Sequence, residues 1–204
     1  MWRFAAIMGG AAAAAWALTR RRSGGEVFYR PHSPEAVELF TEAAAVVGVP
    51  ATWAHGAIHD LMDAESSGWA GRPNYQFNQI WPGISRKTVE NARRWPSLIW
   101  EPLRQGRREE FFSRGITSTA TGLGQLTTSN VPDHYPDGLA GIGDPLNEAA
   151  GMLSYVRSRY GSPDRALAFH RLPRCEGAQQ ELLLSGSNRV SRALELGCKH
   201  HEGY

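Results

Sequence analysis

The sequence predicts a mainly α-helical protein. Three segments begin with Ser-Pro or Asp-Pro and continue with apolar residues at helical spacing, which is the pattern of a capped amphipathic helix. Runs that alternate apolar and polar residues, as half-buried strands do, do not exceed four or five residues. The chain has 204 residues, 42% of them hydrophobic and 21% charged, and is therefore long enough for one sizeable core.

Residues 1–25 carry a membrane or export signal. Arg3 precedes an alanine-rich apolar run, and three consecutive arginines follow it. Interpreted as a signal peptide, the segment offers Ala-Trp-Ala at 15–17 for cleavage. Interpreted as an anchor, residues 2–19 are near the lower length limit for a membrane span, and the arginines favour an N-terminus on the outer side. Both interpretations stay open, and both predict contact with a membrane through residues 2–19.

The folded domain is expected over residues 33–172, after a short connection. Ser33 followed by proline and glutamate predicts the start of a helix that ends at Gly48. A second helix is expected from Pro50 to about Ala64, because its apolar residues recur every three or four positions.

Glu65 continues the apolar stripe of this second helix, just before Ser-Ser-Gly ends it. A carboxylate on an apolar face costs free energy unless it has a partner or a chemical role. Burial also raises the pKa of a carboxyl group, which suits a general acid near neutral pH. The alternative is a helix-end glutamate that pairs with an arginine.

Residues 71–115 form an irregular insertion that is rich in tryptophan, proline and arginine. We expect at most two short helices in it, near 86–94 and 102–112. Its aromatic residues either stack on sugars or form a satellite core. They are Tyr75, Trp81, Trp95 and Trp100.

Helical patterns return after a glycine-containing turn and a loop at 131–138. Asp144 is expected to cap a helix that ends at Gly161, and Ser162 to cap another that follows directly.

Residues 173–204 are predicted to form a C-terminal extension with an amphipathic helix over about 179–196. Cys175 and Cys198 are the only cysteines, and a disulfide between them is possible in an oxidising compartment. The two histidines that follow Cys198 do not match a zinc-ligand spacing. We therefore expect neither a metal nor an organic cofactor. The two histidines are interpreted as part of a polar tail.

The charge balance gives no sign of a nucleic-acid-binding protein. The formal net charge is +2, from 22 Lys and Arg against 20 Asp and Glu, whereas nucleic-acid binding usually leaves a strongly basic patch. The sequence does not predict an oligomeric state.

Three segments, in order, resemble the soluble lytic transglycosylase family of the lysozyme superfamily. They are a helix that ends in Glu65-Ser66, the turn Gly122-Leu-Gly-Gln125, and a helix pair that ends in Ala-Phe-His at 168–170. Members of the family show Glu-Ser, a Gly-Leu-Met-Gln-like turn and Ala-Tyr-Asn. The resemblance covers about residues 46–172 and implies a lysozyme-like helical domain, here with the Trp/Arg-rich insertion.

The resemblance implies cleavage of the β-1,4 bond between N-acetylmuramic acid and N-acetylglucosamine in peptidoglycan strands. Glu65 would act first as acid and then as base, and the product would carry a 1,6-anhydro sugar. No second carboxylate is evident, which fits this non-hydrolytic reaction, since most glycosidases use two. Such an enzyme remodels the cell wall or serves phage entry or lysis. We therefore expect it at a membrane, in the periplasm or cell envelope, or in a phage virion.

The resemblance also implies a substrate-binding set. Ser66 would orient the catalytic carboxylate. Gly122 and Gly124 would let the backbone approach the sugar closely, and the Gln125 amide would donate to an acetamido or hydroxyl group.

Phe169 departs from the family pattern, because it lacks the tyrosine hydroxyl thought to lie near the glutamate. We expect Phe169 to pack in the core. Either His170 or Tyr155 compensates for the missing hydroxyl, or the hydroxyl is dispensable. Two alternatives therefore remain: a hydrolytic muramidase of the same fold, and an inactive peptidoglycan-binding protein.

Overall fold

A computed structural model describes residues 27–72, 105–107, 120–127, 129–176, 183 and 188–200. In this part of the chain the protein is mainly helical, as the sequence predicts. The helices are α1 (Pro34–Val47), α2 (Ala57–Ser66), α3 (Val131–His134), α4 (Pro145–Tyr160), α5 (Pro163–His170) and α6 (Arg189–Leu196). The 3-10 turns Ala51–Ala54 and Gly138–Gly141 and an antiparallel strand pair, β1 (Val27–Phe28) and β2 (Trp69–Ala70), complete the described elements.

The predicted caps of α1, α4 and α5 are confirmed. Ser33, Asp144 and Ser162 each accept, on the side-chain oxygen, a hydrogen bond from the backbone N–H three residues later. Proline follows each of them, where its missing N–H costs no helical hydrogen bond. Gly161 ends α4 with a φ of 84°, in the left-handed region that favours glycine.

The second predicted helix does not begin at Pro50; it begins at Ala57. The chain makes a 3-10 turn that ends at Ala54, and Gly56 then adopts a φ of 63° before α2 begins. This left-handed residue interrupts the helical hydrogen bonds. The loop expected at 131–138 also differs, since its first four residues form the single turn α3.

The folded domain begins before Ser33. The segment expected to be a connection forms β1, and Tyr29 beyond it is 4% exposed within the main core. The Tyr29 N–H donates to the Gly68 carbonyl at 2.7 Å. A Cβ atom on Gly68 would lie 2.0 Å from the Tyr29 oxygen, so the approach requires glycine.

The main core joins α1, α2, α4 and α5, with α1 packed on α4 and α2 packed on α5. Its largest fully buried side chains include Phe40, Ile58, Met62, Leu123 and Leu153. Because Ile58 and Met62 belong to the apolar stripe of α2, this packing sets the direction in which the end of α2 faces.

A second apolar cluster holds the C-terminal extension against the end of α5. Cys175 and Cys198 form a disulfide, and with Leu183 and Ala193 they make the buried part of this cluster. Phe169 packs against it from α5. The extension is therefore a packed part of the fold, and the disulfide that the sequence left open is formed.

A buried carboxylate connects three loops to α4. Glu148 is fully buried, and its oxygens accept hydrogen bonds from the N–H groups of Gly71 at 2.7 Å, Leu123 at 3.1 Å and Gly143 at 2.9 Å. Burial raises the pKa of Glu148 to about 7, although the three amides favour the ionised form and oppose this shift.

Several sequence predictions lie outside the described residues. They concern the membrane segment 2–19, most of the insertion 71–115 with its two short helices, and the first part of the helix expected at 179–196. Among the residues that are described, no helix is long and apolar enough to cross a membrane.

We expect Glu148→Gln to lower the free energy of unfolding by about 1–3 kcal/mol at pH 5, because an amide nitrogen cannot accept a hydrogen bond, whereas both oxygens of the protonated carboxyl group can. The pKa of Glu148 is higher in the folded protein, about 7, than its ordinary 4.5. The stabilisation from this group is therefore complete below pH 4.5 and lost as the pH rises through 7.

Urea unfolding at several pH values measures this effect. The difference between wild type and Glu148→Gln should shrink between pH 5 and pH 8. Glu38→Gln, at an exposed position of α1, is the control and should change stability by less than about 0.5 kcal/mol. A difference that is constant with pH would contradict the expected titration.

We expect Cys198→Ser to lower the free energy of unfolding by about 2–4 kcal/mol, because the disulfide closes a loop between positions 23 residues apart. Urea unfolding with and without reductant measures it. Reductant should destabilise wild type by a similar amount and leave the stability of the variant unchanged. If reductant does not change the stability of wild type, the prediction is wrong.

Candidate active site

Glu65 lies in the last turn of α2 and faces a small cavity of about 50 Å³. Its side chain is 16% exposed, so the carboxylate is largely shielded from water without being enclosed. Among the described residues that line this cavity, Glu65 is the one acid. The lining includes Gly124, Leu126, Met152, Tyr155, Phe169, His170 and Lys199.

The His170 imidazole lies beside Glu65 at the cavity. Its Nε2 atom lies 3.7 Å from Glu65 Oε1, just beyond hydrogen-bond distance. Burial lowers the pKa of His170 from its ordinary value, and the positive charges of Lys199 and Arg171 lower it further. The imidazole is therefore mainly neutral at pH 7 and able to donate or accept one hydrogen bond.

Lys199 is a site residue that the sequence interpretation missed. Its ammonium group donates a hydrogen bond to the His170 carbonyl and lies 5.8 Å from the centre of the Phe169 ring. Burial lowers the pKa of Lys199, and the negative charge of Glu65 opposes this change. One sequence signal was present: Lys199 is one of only two lysines in the chain, next to a cysteine.

The small cavity opens into a larger cleft of about 600 Å³. Five residues line both: Tyr155, Tyr160, Phe169, His170 and Lys199. The outer cleft adds polar and basic groups, among them Asn130, Arg159 and Arg174. Aromatic rings beside polar groups are a common lining for ligand sites, and this lining leads directly to Glu65.

Tyr155 lies at the boundary between cavity and cleft, in agreement with its expected place near Glu65. Its hydroxyl accepts a hydrogen bond from Arg159 at 2.8 Å. The Tyr155 and Tyr160 ring centres are 6.1 Å apart, at an edge-to-face angle of 74°. The two rings form one aromatic wall.

The glycines of the 122–125 turn permit close packing, but only one of them borders the cavity. Gly124 lines it, and a Cβ atom there would lie 2.8 Å from the Met152 Cγ atom. Gly122 has a φ of 78°, and a Cβ atom there would lie 2.5 Å from the Glu148 carboxyl carbon. Gly122 therefore leaves room for the buried Glu148 carboxyl group, and it does not line the cavity.

Ser66 and Gln125 do not have the substrate-binding geometry expected from the sequence. Ser66 is buried, and its hydroxyl donates to the Met62 carbonyl one turn earlier. The side-chain amide of Gln125 donates to the carbonyls of Arg72 at 2.8 Å and Gly122 at 2.9 Å. Neither residue lines the cavity or the cleft. Ser66 bonds within α2, and Gln125 joins its own turn to Arg72.

Phe169 is only partly a core residue. One side packs against the C-terminal cluster, and its ring also lines both cavity and cleft. The ring centre lies 5.4 Å from that of Tyr160. Phe169 thus extends the aromatic wall towards Lys199.

Comparison with known proteins gives no relative for this chain: no protein-family model, no curated protein and no solved structure matches it significantly. The described residues define a mainly helical protein with a single acid beside an aromatic and basic cleft.

We expect Lys199→Met to raise the pKa of His170, because the substitution removes a positive charge and keeps an apolar side chain of similar length. Titration of the histidine ring protons by NMR measures this pKa. His134 is the internal control, since burial and the positive charge of Arg157 lower its pKa and Asp133 opposes this shift, with no contribution from Lys199. An unchanged pKa of His170, or an equal change at both histidines, would contradict the effect of the Lys199 charge on His170.

Proposed function

We propose that the protein is a lysozyme-like lytic transglycosylase of peptidoglycan. The observation that carries this proposal is the place of Glu65, the one acid among the described lining residues of a cavity that opens into an aromatic cleft. A reaction in which the substrate supplies its own nucleophile requires only one carboxylate on the protein. The packing of α2 on α5, which brings Glu65 and His170 together, supports the proposed fold.

In the proposed reaction, protonated Glu65 donates its proton to the oxygen of the glycosidic bond. The bond from that oxygen to C1 of N-acetylmuramic acid breaks, and its electron pair stays with the leaving N-acetylglucosamine. The Glu65 carboxylate then removes the proton of the C6 hydroxyl as O6 bonds to C1. The enzyme regains its proton, and the product carries a 1,6-anhydro ring.

The described residues provide supporting interactions for both steps. Lys199 lines the same cavity as Glu65, and the two charges interact, so the ammonium group can stabilise the carboxylate that acts as base in the second step. The Tyr155, Tyr160 and Phe169 rings line the cleft and provide apolar contact surface for sugar rings.

Lys199 also provides a polar group in place of the tyrosine hydroxyl that Phe169 lacks. The ammonium group lies over the Phe169 ring and beside Glu65. A polar group thus reaches the neighbourhood of the acid from a different segment of the chain. This supports an active site over an inactive binding protein.

We expect Glu65→Gln to reduce sugar release from purified sacculi by at least about 100-fold, since a positioned acid or base contributes about 10²–10⁴ to the rate. Asp63→Asn is the matched control, an exposed carboxylate on the same helix, and should retain wild-type turnover. Wild-type turnover in Glu65→Gln would refute the role of Glu65.

Mass spectrometry of the released fragments tests the reaction type. Anhydro ends support the proposed transglycosylase, and reducing ends identify a hydrolytic muramidase. Sacculus binding by wild type without sugar release would instead identify a peptidoglycan-binding protein that is not an enzyme.

A further inference from the structure

Two positive side chains are fixed next to each other at the cleft. Arg174 and Lys199 are paired residues of a parallel β-bridge, and both line the cleft. Two backbone hydrogen bonds hold them: the Cys175 N–H donates to the Lys199 carbonyl at 2.9 Å, and the Lys199 N–H donates to the Pro173 carbonyl at 2.8 Å.

The disulfide makes this pairing rigid, because Cys175 and Cys198 are the direct neighbours of the two cations. The two side chains carry the same charge and repel each other. A bound anion near both would lower that cost.

A third cation that lines the cleft, Arg159, comes from α4. The Arg159 guanidinium lies 5.7 Å from the Tyr155 ring centre and 5.8 Å from that of Tyr160, and it donates to the Tyr155 hydroxyl. These contacts fix its position at the aromatic wall. An arginine fork suits a carboxylate, because its donors are planar and can bind both oxygens.

The net charge of the cleft lining cannot be predicted from the overall composition. The chain has nearly equal numbers of basic and acidic residues, 22 and 20. Among the described residues that line the cleft, three are arginine or lysine, two are histidine, and none is aspartate or glutamate. The cleft is therefore positive at neutral pH.

We propose that Arg159, Arg174 and Lys199 form a subsite for a carboxylate of the peptide stem carried by the glycan strand. This proposal rests on the proposed function, since the short peptides on the muramic acid residues of peptidoglycan carry free carboxylates. The subsite lies in the cleft that continues from the Glu65 cavity, so a strand with its sugars on the aromatic wall has its peptide within reach of the three cations.

Calorimetry with full-length Glu65→Gln tests the subsite without cleavage. The first probe is the disaccharide of N-acetylglucosamine and N-acetylmuramic acid with a tetrapeptide stem. The second is the same fragment with its peptide carboxylates converted to carboxamides, which keeps the size and removes the charge. We expect the first to bind at least tenfold more tightly, with a preference that weakens as salt is raised.

The same measurement is made after adding Arg174→Gln or Lys199→Gln, each of which should remove most of the preference. Arg30→Gln, an exposed arginine outside the cleft lining, is the control and should keep it. Equal affinity for both probes, binding of neither, or a preference that survives both substitutions overturns the subsite.

Failure of the subsite and failure of the proposed function are separate outcomes. Sugar release from sacculi by wild type with equal binding of the two probes leaves the enzyme and removes the subsite. Preferential binding of the carboxylate fragment without any sugar release leaves the subsite, on a protein that binds peptidoglycan.

Discussion

The buried carboxylate of Glu148 is the constraint on which the arrangement of the cleft depends. Its three amide partners belong to loops that are far apart in sequence. The Gly71 amide follows shortly after α2, which carries Glu65, and the Leu123 amide directly precedes Gly124 in the cavity wall. Glu148 thus joins both to α4. The burial of a titratable group costs free energy, and the three hydrogen bonds offset part of that cost.

The disulfide is a second constraint, because it makes the C-terminal extension part of the site. Cys175 and Cys198 bring Lys199 to the end of α5, where its ammonium group contacts the His170 carbonyl and the Phe169 ring. A charge in this half-buried place interacts more strongly than one in water. The state of the disulfide therefore bears on the electrostatics around Glu65 as well as on stability.

The proposed chemistry and the proposed carboxylate subsite lie in adjoining spaces that share Lys199. The inner cavity holds Glu65 among mostly apolar side chains, and the outer cleft adds Arg159 and Arg174 beside aromatic rings. A glycan strand would match both features, with its sugar rings and its charged peptide branches. Tyr155, Tyr160 and Phe169 line both spaces and would orient such a strand towards Glu65.

The sequence by itself determined the capped helices and the place of Glu65 on the inward stripe of α2, because caps and spacing depend on a few neighbouring residues. The tertiary structure decided which polar side chains meet in the site. Ser66 follows Glu65 directly, yet one step along a helix turns a side chain by about 100°, and its hydroxyl lies in the interior. Gln125 is likewise bonded within its own loops. Lys199 joins the site only through the disulfide and the packing of the extension on α5, contacts between distant segments that no local pattern encodes.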